Sequence, residues 1–490
     1  MSLFRVYIRP LELKDAEISY KWRNDSAVWE YTESKPDTVI TQEIETQWLL
    51  KVLSNKYEAR FAIMFDDKYV GNIQLLKISK TDAEYHIFIG DKDCWGKGVA
   101  SLASYQILYF AKEQLMLDSI YLTVREDNIA AIKLYQGLAF FEEKSDNTWL
   151  TYRCKLENLP IPKVSVFVMV YNHEAYLKEC LDGILMQQCN FNFDVVVGED
   201  ASTDNSRKIL LDYQKNNPGK FKLLLQEKNI GAMANQMAVL NACDGKYVAM
   251  CEGDDNWTDP LKLQKQVEFL EANTDFSICF HKVKVLFENN EKNSRFIPEN
   301  IPDVTTLEHL AMGNYIPTCS CVYRNISNPQ FLSIVEKCLI GDYPIHLMNA
   351  LNGKIRYFDE NMASYRVHNG GIFESKSTLF KLKTLIDTLD ILIGNFDEKV
   401  NTVLAYTQLN TMLEFNYTSM SLENNTSIKL DYIPKSVAIV YDDQKSMINK
   451  QYTELLAKHN ELKRIRKLFA YRLHKIFEYP FSLINGYLKK

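Results

Sequence analysis

Residues 247–255 read YVAMCEGDD, an apolar run that is followed directly by three carboxylates. The run 247–251 predicts a short buried strand, which places Glu252, Asp254 and Asp255 together at the end of that strand. Three like charges repel one another there, and a divalent cation with a phosphate would balance them. Carboxylate oxygens suit Mg²⁺ or Mn²⁺. The pattern therefore predicts a cation site, and an ordinary solvated turn is the alternative interpretation.

The flanking sequence alternates predicted strands with predicted helices. The strands are expected at residues 164–170, 193–197, 222–226 and 247–251, and the helices at residues 174–187 and 229–240. This alternation predicts an α/β fold with a parallel, doubly wound sheet. Such sheets bind ligands at the carboxyl ends of their strands. Asn172, Asp200 and Asp254 each follow a predicted strand, so we expect them at one edge of the sheet.

The segment from Lys163 to about Phe373 resembles the inverting GT-A glycosyltransferases of the large bacterial family that builds polysaccharides. The resemblance is carried, in order, by VYN at 170–172, EDASTD at 199–204, NIG at 229–231, EGDDNW at 252–257 and YRVH at 365–368. Each motif is weak alone, but the order and spacing are specific. The resemblance implies a nucleotide-sugar donor, a glycan acceptor that could be lipid-linked, and a bound Mg²⁺ or Mn²⁺.

The same resemblance assigns roles to individual residues. Asp254 matches the metal-binding aspartate of the family, and Glu252 stands where an aspartate is commoner. The position of Tyr171 packs on the nucleobase, and that of Asp200 hydrogen-bonds the base or the ribose. The full set expected to bind the nucleotide sugar is Tyr171, Asn172, Asp200, Glu252, Asp255 and His368. For His368, contact with the diphosphate or the metal stands beside a purely structural role.

Inverting transfer also needs a base that takes the proton of the acceptor hydroxyl. The family places an acidic residue after the acceptor-side strand, and the sequence IGDYP at 340–344 fits that place. Asp342 is therefore the predicted catalytic base. The alternative for Asp342 is a helix N-cap, because it stands directly before Tyr343 and Pro344.

Residues 1–157 form a second predicted unit that opens with strands. Strands are expected at residues 4–9, 61–65, 69–78 and 83–89, and a predicted helix begins near Val99. The loop between the last strand and that helix reads DCWGKGVA at 93–100. Two glycines at a helix start can form a nest of backbone N–H groups that binds pyrophosphate. A tight turn is the plainer interpretation of Gly96 and Gly98.

This unit resembles the GNAT acetyltransferases along its whole length. The resemblance implies acetyl-CoA as co-substrate, held by Trp95, Gly96, Lys97, Gly98, Val99, Ala100 and Asn128. It also implies that Tyr135 protonates the departing CoA thiolate. Asp93 departs from the Arg or Gln that is usual at that position of the loop. Glu84 is the predicted base for the acceptor amine, with a surface strand residue as its alternative, and His86 is the lesser candidate.

Composition supports a multidomain protein that carries no dedicated nucleic-acid surface. The chain has 490 residues, a net charge of −6 and ten scattered cysteines. The negative charge argues against nucleic acid as a partner. Scattered cysteines are typical of reduced thiols in the cytoplasm. No apolar run approaches the roughly 20 residues that a membrane span needs, and the first residues lack the apolar region of a signal peptide.

The C-terminal part is expected to be helical. Residues 376–450 form a predicted packing region, and residues 451–490 form a predicted basic amphipathic tail with nine Lys or Arg against three Glu. Such a tail is typical of peripheral contact with an anionic membrane, here the inner face of the cytoplasmic membrane. The alternative is a helix that docks on the protein.

The domain order predicted from these patterns is therefore GNAT at 1–157, GT-A at 160–375, the packing region and the tail. We expect a bifunctional enzyme of bacterial glycan biosynthesis. The GNAT domain would N-acetylate an amino sugar in its nucleotide-linked form, and the GT-A domain would transfer a sugar to a glycan. Fusion would raise the effective concentration of one step's product for the next. The alternatives are a GNAT domain that acetylates a protein or the acceptor glycan, and one domain that serves as an inactive scaffold.

Overall fold

The computed structural model describes residues 5–31, 37–146, 148–159, 163–288, 294–325, 329–368, 370–371 and 376–422. The described residues of Met1–Thr306, Tyr315–Leu332 and Met348–Glu374 form one compact unit. The described residues of Leu307–Asn314, Ser333–Leu347 and Ser375–Lys490 form another. The predicted basic tail at 451–490 lies outside the described residues.

The N-terminal part of the first unit is built on a seven-stranded sheet. Its elements are β1 (Val6–Pro10), α1 (Ala16–Arg23), α2 (Gln42–Leu53), β2 (Ala59–Phe65), β3 (Lys68–Leu76), β4 (Asp82–Ile89), α3 (Val99–Glu113), β5 (Ser119–Arg125), α4 (Ile129–Gly137), β6 (Phe141–Asp146) and β7 (Trp149–Lys155). The strand order is β1-β2-β3-β4-β5-β7-β6. Neighbouring strands are antiparallel except for β4 and β5, which are parallel.

Both faces of this sheet are covered, and strand β2 shows how. Phe61 and Ile63 pack with residues of α3 and α4, whereas Ala62 and Met64 pack with Trp22 of α1 and with residues of α2. This alternation follows from the two-residue period of a strand, which sends successive side chains to opposite faces. The sheet therefore has an α3/α4 face and an α1/α2 face.

A ten-stranded sheet follows in the same unit. Its strands and helices are β8 (Val164–Val170), α5 (Leu177–Leu185), β9 (Phe193–Glu199), α6 (Ser206–Asn216), β10 (Phe221–Leu225), α7 (Ala232–Ala242), β11 (Tyr247–Glu252), β12 (Asn256–Trp257), α8 (Lys262–Ala272), β13 (Phe276–Phe287), β14 (Arg295–Ile297) and β15 (Val304–Thr305). The main strand order is β10-β9-β8-β11-β16-β13-β17-β12, where β16 is Val322–Arg324 and β17 is Lys354–Val367.

The four strands β10, β9, β8 and β11 are mutually parallel. The side chains of β8, β9 and β11 are nearly all buried because helices cover both faces, which explains the continuous apolar runs in the sequence. Parallel strands end at one edge, so the residues after β8, β9 and β11 meet there. The predicted α/β fold class, a mixed GNAT sheet followed by a GT-A sheet and C-terminal helices, is confirmed.

The remaining helices are α9 (Leu307–Ala311), α10 (Pro329–Val335), α11 (Asp342–Ala350), α12 (Thr378–Leu392) and α13 (Glu398–Leu422). In the second unit, Gln408 of α13 donates from Nε2 to the carbonyl of Ile386 in α12 at 3.0 Å. Thr407 of α13 donates to the carbonyl of Ala311 in α9 at 2.8 Å. Among the described helices, none has the length and the apolar composition that a membrane crossing requires.

Helix α3 joins the two sheets of the first unit through Gly219, in the turn before β10. A Cβ on Gly219 would lie 1.7 Å from the carbonyl oxygen of Gln106 and 3.0 Å from the amide nitrogen of Phe110. Both atoms belong to the backbone of α3, and φ of Gly219 is +70°. The side chain of Gln106 meanwhile bonds the backbone of Val6 and Ile8 in β1. The helix and the turn are thus in backbone contact, which only glycine permits.

We expect Gly219→Ala to lower the free energy of unfolding by more than about 2 kcal/mol. A left-handed φ alone costs a side chain about 1–2 kcal/mol, and the contact with α3 adds to that cost. Gly96→Ala is the matched control, because φ there is +72° and no atom lies within 4 Å of the added Cβ. Thermal unfolding of both variants is the measurement, and equal melting temperatures would contradict the backbone contact.

Candidate active sites

The acidic cluster lies at the carboxyl end of β11, as the sequence predicts. Oxygen atoms of Glu252, Asp254 and Asp255 all lie within 4.8 Å of one another. Asp254 and Asp255 are buried, and Glu252 is half-buried. Gly253 stands between Glu252 and Asp254. A side chain does not fit at this position, because a Cβ would lie 2.6 Å from Nδ1 of His173. The loop therefore folds back against the segment that follows β8.

Two histidines approach the carboxylate of Asp254. Nε2 of His368 lies 2.9 Å from Oδ2, and Nε2 of His173 lies 3.8 Å from the same oxygen. The other oxygen of Asp254, Oδ1, is buried without a hydrogen-bond partner among the described residues. Burial lowers the pKa of His173, and the charge of Asp254 opposes that shift. Asp254 thus has one oxygen committed to histidine and one available to a ligand.

Asp255 has a structural environment that differs from that of Asp254. It is fully buried, and its Oδ1 accepts a 2.8 Å hydrogen bond from the backbone N–H of Arg366. Burial raises the pKa of Asp255 well above its ordinary value, and the charges of Asp254 and Glu252 raise it further. A cation bound at the cluster would relieve this repulsion.

Arg366 fastens the cluster from the other side. Its guanidinium donates to the carbonyl of Asp254 at 3.0 Å and to Oε2 of Glu179 at 2.8 Å. It also lies over the ring of Tyr176, with 4.7 Å from Cζ to the ring centroid. The YRVH motif on β17 therefore contributes an arginine that holds the loop and a histidine that reaches the carboxylate.

The chemistry of these donors fits a divalent cation. Three clustered carboxylates, two of them buried, offer hard oxygen ligands, and Oδ1 of Asp254 has no protein partner in the described part of the chain. Asp254 would hold such an ion, which would neutralise the phosphates of a nucleotide sugar.

The predicted nucleotide side of the site is held together by backbone hydrogen bonds. Asn172, with φ at +58°, accepts from the N–H of Thr203 at 2.8 Å through Oδ1. Asp200 accepts from the N–H groups of Ile230 at 2.7 Å and Gly231 at 3.0 Å, one on each oxygen. Asp200 is therefore an anchor for the NIG loop in this structure. The predicted contacts of Asn172 and Asp200 with the nucleotide, and that of the half-exposed Tyr171, stay predictions.

Asp342 lies in the second compact unit, as the first residue of α11. Its Oδ1 accepts a 2.7 Å hydrogen bond from the N–H of Tyr343, and its Oδ2 accepts one of 3.0 Å from Asn314. Burial lowers the pKa of His346 nearby, and the charge of Asp342 opposes that shift. Neither contact is the bond from the second or third helical N–H that defines an N-cap, so the catalytic role of Asp342 and its capping alternative both stay predictions.

The loop before α3 has the backbone that a phosphate nest requires. Gly96 and Gly98 have φ values of +72° and +80°, and open space surrounds the position of a Cβ on either residue. Gly98 directly precedes the first residue of α3, so the helix N-terminus faces the same space. Trp95 is 48% exposed and donates from Nε1 to the carbonyl of Ile89 at 2.9 Å. Lys97 is exposed beside it.

Strands β4 and β5 separate close to this loop. They pair in parallel only from Asp82 to Glu84, opposite residues 119–121, and not beyond. On the α3/α4 face, the ring of Tyr135 meets that of Tyr85 edge-on, with 5.9 Å between centroids. Burial raises the pKa of Tyr135, so its hydroxyl keeps its proton and can donate it. The two strands are therefore unpaired beyond Glu84, on the side of the loop that carries Gly96 and Gly98.

Asn128, which the sequence assigns to the CoA side, caps α4 in this structure. Its Oδ1 accepts a 3.1 Å hydrogen bond from the N–H of Ala131. The amide group of Asn128 keeps its N–H₂ donors, so its predicted contact with pantetheine stays a prediction.

Three contributors to these sites were missed in the sequence. His173, Arg366 and Glu179 lie near the acidic cluster through tertiary contacts between β8, β17 and α5. Of these, Arg366 had a signal, because it stands inside the YRVH motif. His173 directly follows Asn172, but its spacing alone gives no hint that it faces Asp254.

Two family models match the chain. A model described as Glycosyl transferase family 2 matches residues 165–327, and one described as Acetyltransferase (GNAT) domain matches residues 5–140. The chain carries a GNAT acetyltransferase domain and a family 2 glycosyltransferase domain. The recognition made from the motifs is therefore confirmed for both halves. The GNAT domain contains the glycine nest, and the glycosyltransferase domain contains the acidic cluster.

Individual proteins resemble one domain or the other. The Mycobacterium tuberculosis protein Rv1520 is 39% identical over 215 residues, which is 44% of this chain and 62% of that protein. Staphylococcus aureus TarS, solved with UDP-GlcNAc, is 21% identical with a TM-score of 0.43, covering 54% of this chain and 76% of TarS. Vibrio cholerae spermidine N-acetyltransferase, solved with CoA and spermine, is 23% identical with a TM-score of 0.28. The match covers 30% of this chain and 93% of that protein.

Proposed function

We propose that the glycosyltransferase domain transfers a sugar from a nucleotide sugar to a glycan, with inversion and with a divalent metal. The observation that carries this proposal is the carboxylate of Asp254, which is buried beside two other acids and has one oxygen with no hydrogen-bond partner among the residues that the structure describes. A metal held there would stabilise the nucleoside diphosphate as it leaves. The chain's own part is to hold the ion through Asp254 and to keep the loop in place through Arg366.

We further propose that Asp342 takes the proton of the acceptor hydroxyl. Support comes from the family resemblance at residues 340–344 and from the need of inverting transfer for a base. The hydrogen bonds to Asp342 come from the amide of Tyr343 and the side chain of Asn314. Both would fix the orientation of its carboxylate.

For the GNAT domain, we propose acetyl-CoA-dependent N-acetylation of an amino sugar, with the nucleotide-linked sugar as the acceptor. The positive-φ glycines before α3 and the gap between β4 and β5 support the binding of CoA. The amino-sugar acceptor is supported by the fusion itself, because the product could then serve the glycosyltransferase domain as donor. The assay for both proposals is incubation with a panel of nucleotide sugars, with and without acetyl-CoA, and mass analysis of the products.

We expect Asp254→Asn to abolish metal-dependent binding of the nucleotide sugar while the fold is retained. The amide removes the negative charge that a cation requires. Calorimetry with Mn²⁺ and UDP is the first measurement, and turnover is the second. Asp275→Asn is the matched control, since Asp275 is an exposed aspartate that pairs with Lys354 at the start of β17. Full transfer activity in the presence of a chelator would refute the metal site.

We expect Gly98→Val to weaken CoA binding by at least about tenfold, because a branched side chain would occupy the space that the pyrophosphate approaches. Gly394→Val is the control for the backbone cost, since Gly394 also has a positive φ and open space around its Cβ. Calorimetry with CoA compares the two variants. Unchanged affinity in Gly98→Val would remove the nest from the CoA site.

We expect Asp342→Asn to reduce turnover by about 10²-fold or more, the usual worth of a positioned base, while donor binding persists. Asparagine can still accept the hydrogen bond from Tyr343, so this local contact survives. Asp397→Asn is the matched control, because Asp397 caps α13 by accepting from the N–H of Val400 at 2.8 Å. If both variants turn over normally, Asp342 is not the base.

A further inference from the structure

Glu84 and His86 lie next to each other on the α1/α2 face of β4, where this strand parts from β5. Glu84 is the last residue of β4 that pairs with β5, and His86 is the second residue beyond it. The two side chains share a face because they are two residues apart on a strand. Tyr135 approaches the same part of β4 from the other face, through Tyr85. The parting strands thus have a proton donor on one face and two titratable groups on the other.

The carboxylate of Glu84 is already engaged on both oxygens. Oε2 lies 2.7 Å from Nζ of Lys77, and Oε1 lies 3.2 Å from Nε2 of His86. Burial raises the pKa of Glu84, but its contacts with Lys77 and His86, chiefly the one with the ammonium of Lys77, outweigh that effect, so the pKa lies below its ordinary value. A carboxylate that is stabilised as an anion in this way is a weak proton acceptor.

His86 has the opposite character. Its side chain is 43% exposed, which leaves the ring accessible from the α1/α2 face. Burial of the remainder lowers its pKa, and the positive charges of Arg60 on β2 and Lys77 after β3 lower it further. Glu84 on its own strand opposes these effects without cancelling them. His86 is therefore a neutral imidazole at neutral pH, the form that can accept a proton.

We propose that His86 is the general base of the acetyltransferase domain and that Glu84 is its positioning residue. The sequence favours Glu84 as the base, with His86 as the lesser candidate, and the surroundings of the two residues exchange that order. The ionised carboxylate of Glu84 accepts a hydrogen bond from Nε2–H of His86, which fixes the tautomer that carries the lone pair on Nδ1. Lys77 in turn holds Glu84 in place. Nδ1 is then the atom that takes the proton from the acceptor amine.

The step is balanced within these residues. The amine nitrogen forms a bond to the acetyl carbonyl carbon, its proton passes to Nδ1 of His86, and the carbon–sulfur bond breaks. The thiolate that leaves takes the hydroxyl proton of Tyr135. The products are the amide and CoA thiol, and His86 and Tyr135 return to their starting forms by exchange with water. No oxidant, reductant or metal is needed.

The test measures CoA release by the full-length protein with two acceptors. UDP-glucosamine is the amino-sugar probe, and its use rests on the proposed function. Hydroxylamine is the second probe, because its nitrogen is unprotonated at neutral pH and needs little help from a base. We expect His86→Gln to reduce kcat with UDP-glucosamine by about 10²-fold and to affect hydroxylamine much less. Calorimetry with CoA serves as the control for the fold, with unchanged affinity expected.

Glu84→Gln tests the positioning role through the pH profile. Glutamine keeps a hydrogen-bond acceptor for His86 but removes the charge that raises the pKa of His86. The acidic limb of kcat/KM should therefore move to lower pH in Glu84→Gln and vanish in His86→Gln. A merely structural Glu84 would leave the limb where it is.

The reverse result would overturn the proposal. If His86→Gln keeps the wild-type rate and limb while Glu84→Gln loses both, Glu84 is the base. If wild-type protein acetylates hydroxylamine but not UDP-glucosamine, the amino-sugar acceptor is wrong. The roles of His86 and Glu84 are then tested with spermidine, a primary amine that is protonated at neutral pH, and equal rates of wild type and His86→Gln with it would refute the base.

Discussion

The hydrogen bond from the backbone of Arg366 to the buried carboxylate of Asp255 is the constraint on which the glycosyltransferase site depends. It joins the loop after β11 to the last part of β17, two segments that are more than a hundred residues apart in sequence. The guanidinium of Arg366 repeats the link through the carbonyl of Asp254. With both links made, His368 comes within hydrogen-bond distance of Asp254. Burial of the carboxylate of Asp255 would be unfavourable without a hydrogen-bond donor. The N–H of Arg366 supplies that donor and so fixes the position of the loop.

The parts of the fold that follow from local patterns were predictable from the sequence. The strands β8, β9 and β11 are buried on both faces, and their continuous apolar sequences predict this burial. Strand ends then located Asn172, Asp200 and Asp254 at one edge, because parallel strands end together. The glycines before α3 were also predictable, because backbone with a positive φ favours glycine and the sequence has Gly-x-Gly directly before the predicted helix.

The parts that depend on tertiary contacts were not predictable. No spacing rule indicates that His173 lies against Gly253, or that both oxygens of Asp200 are taken by the backbone of the NIG loop. The environment of Glu84 is similar, since its lowered pKa comes from Lys77 and His86 and not from its own position on β4. Sequence identifies which residues can do chemistry, and their neighbours decide which of them does.

The contact between α3 and Gly219 bears on where the chain can be divided into separate domains. In the sequence, the strands of the two sheets are separated by the short segment between β7 and β8. From the sequence alone, a cut in this segment would leave each sheet complete. In the structure, the backbone of Gln106 and Phe110 in the first half lies against Gly219 in the second half. A side chain at Gly219 would overlap this backbone. Each half produced alone would expose its side of this contact to solvent. Separating the halves at the linker would therefore also break a backbone contact that lies far from the cut in sequence.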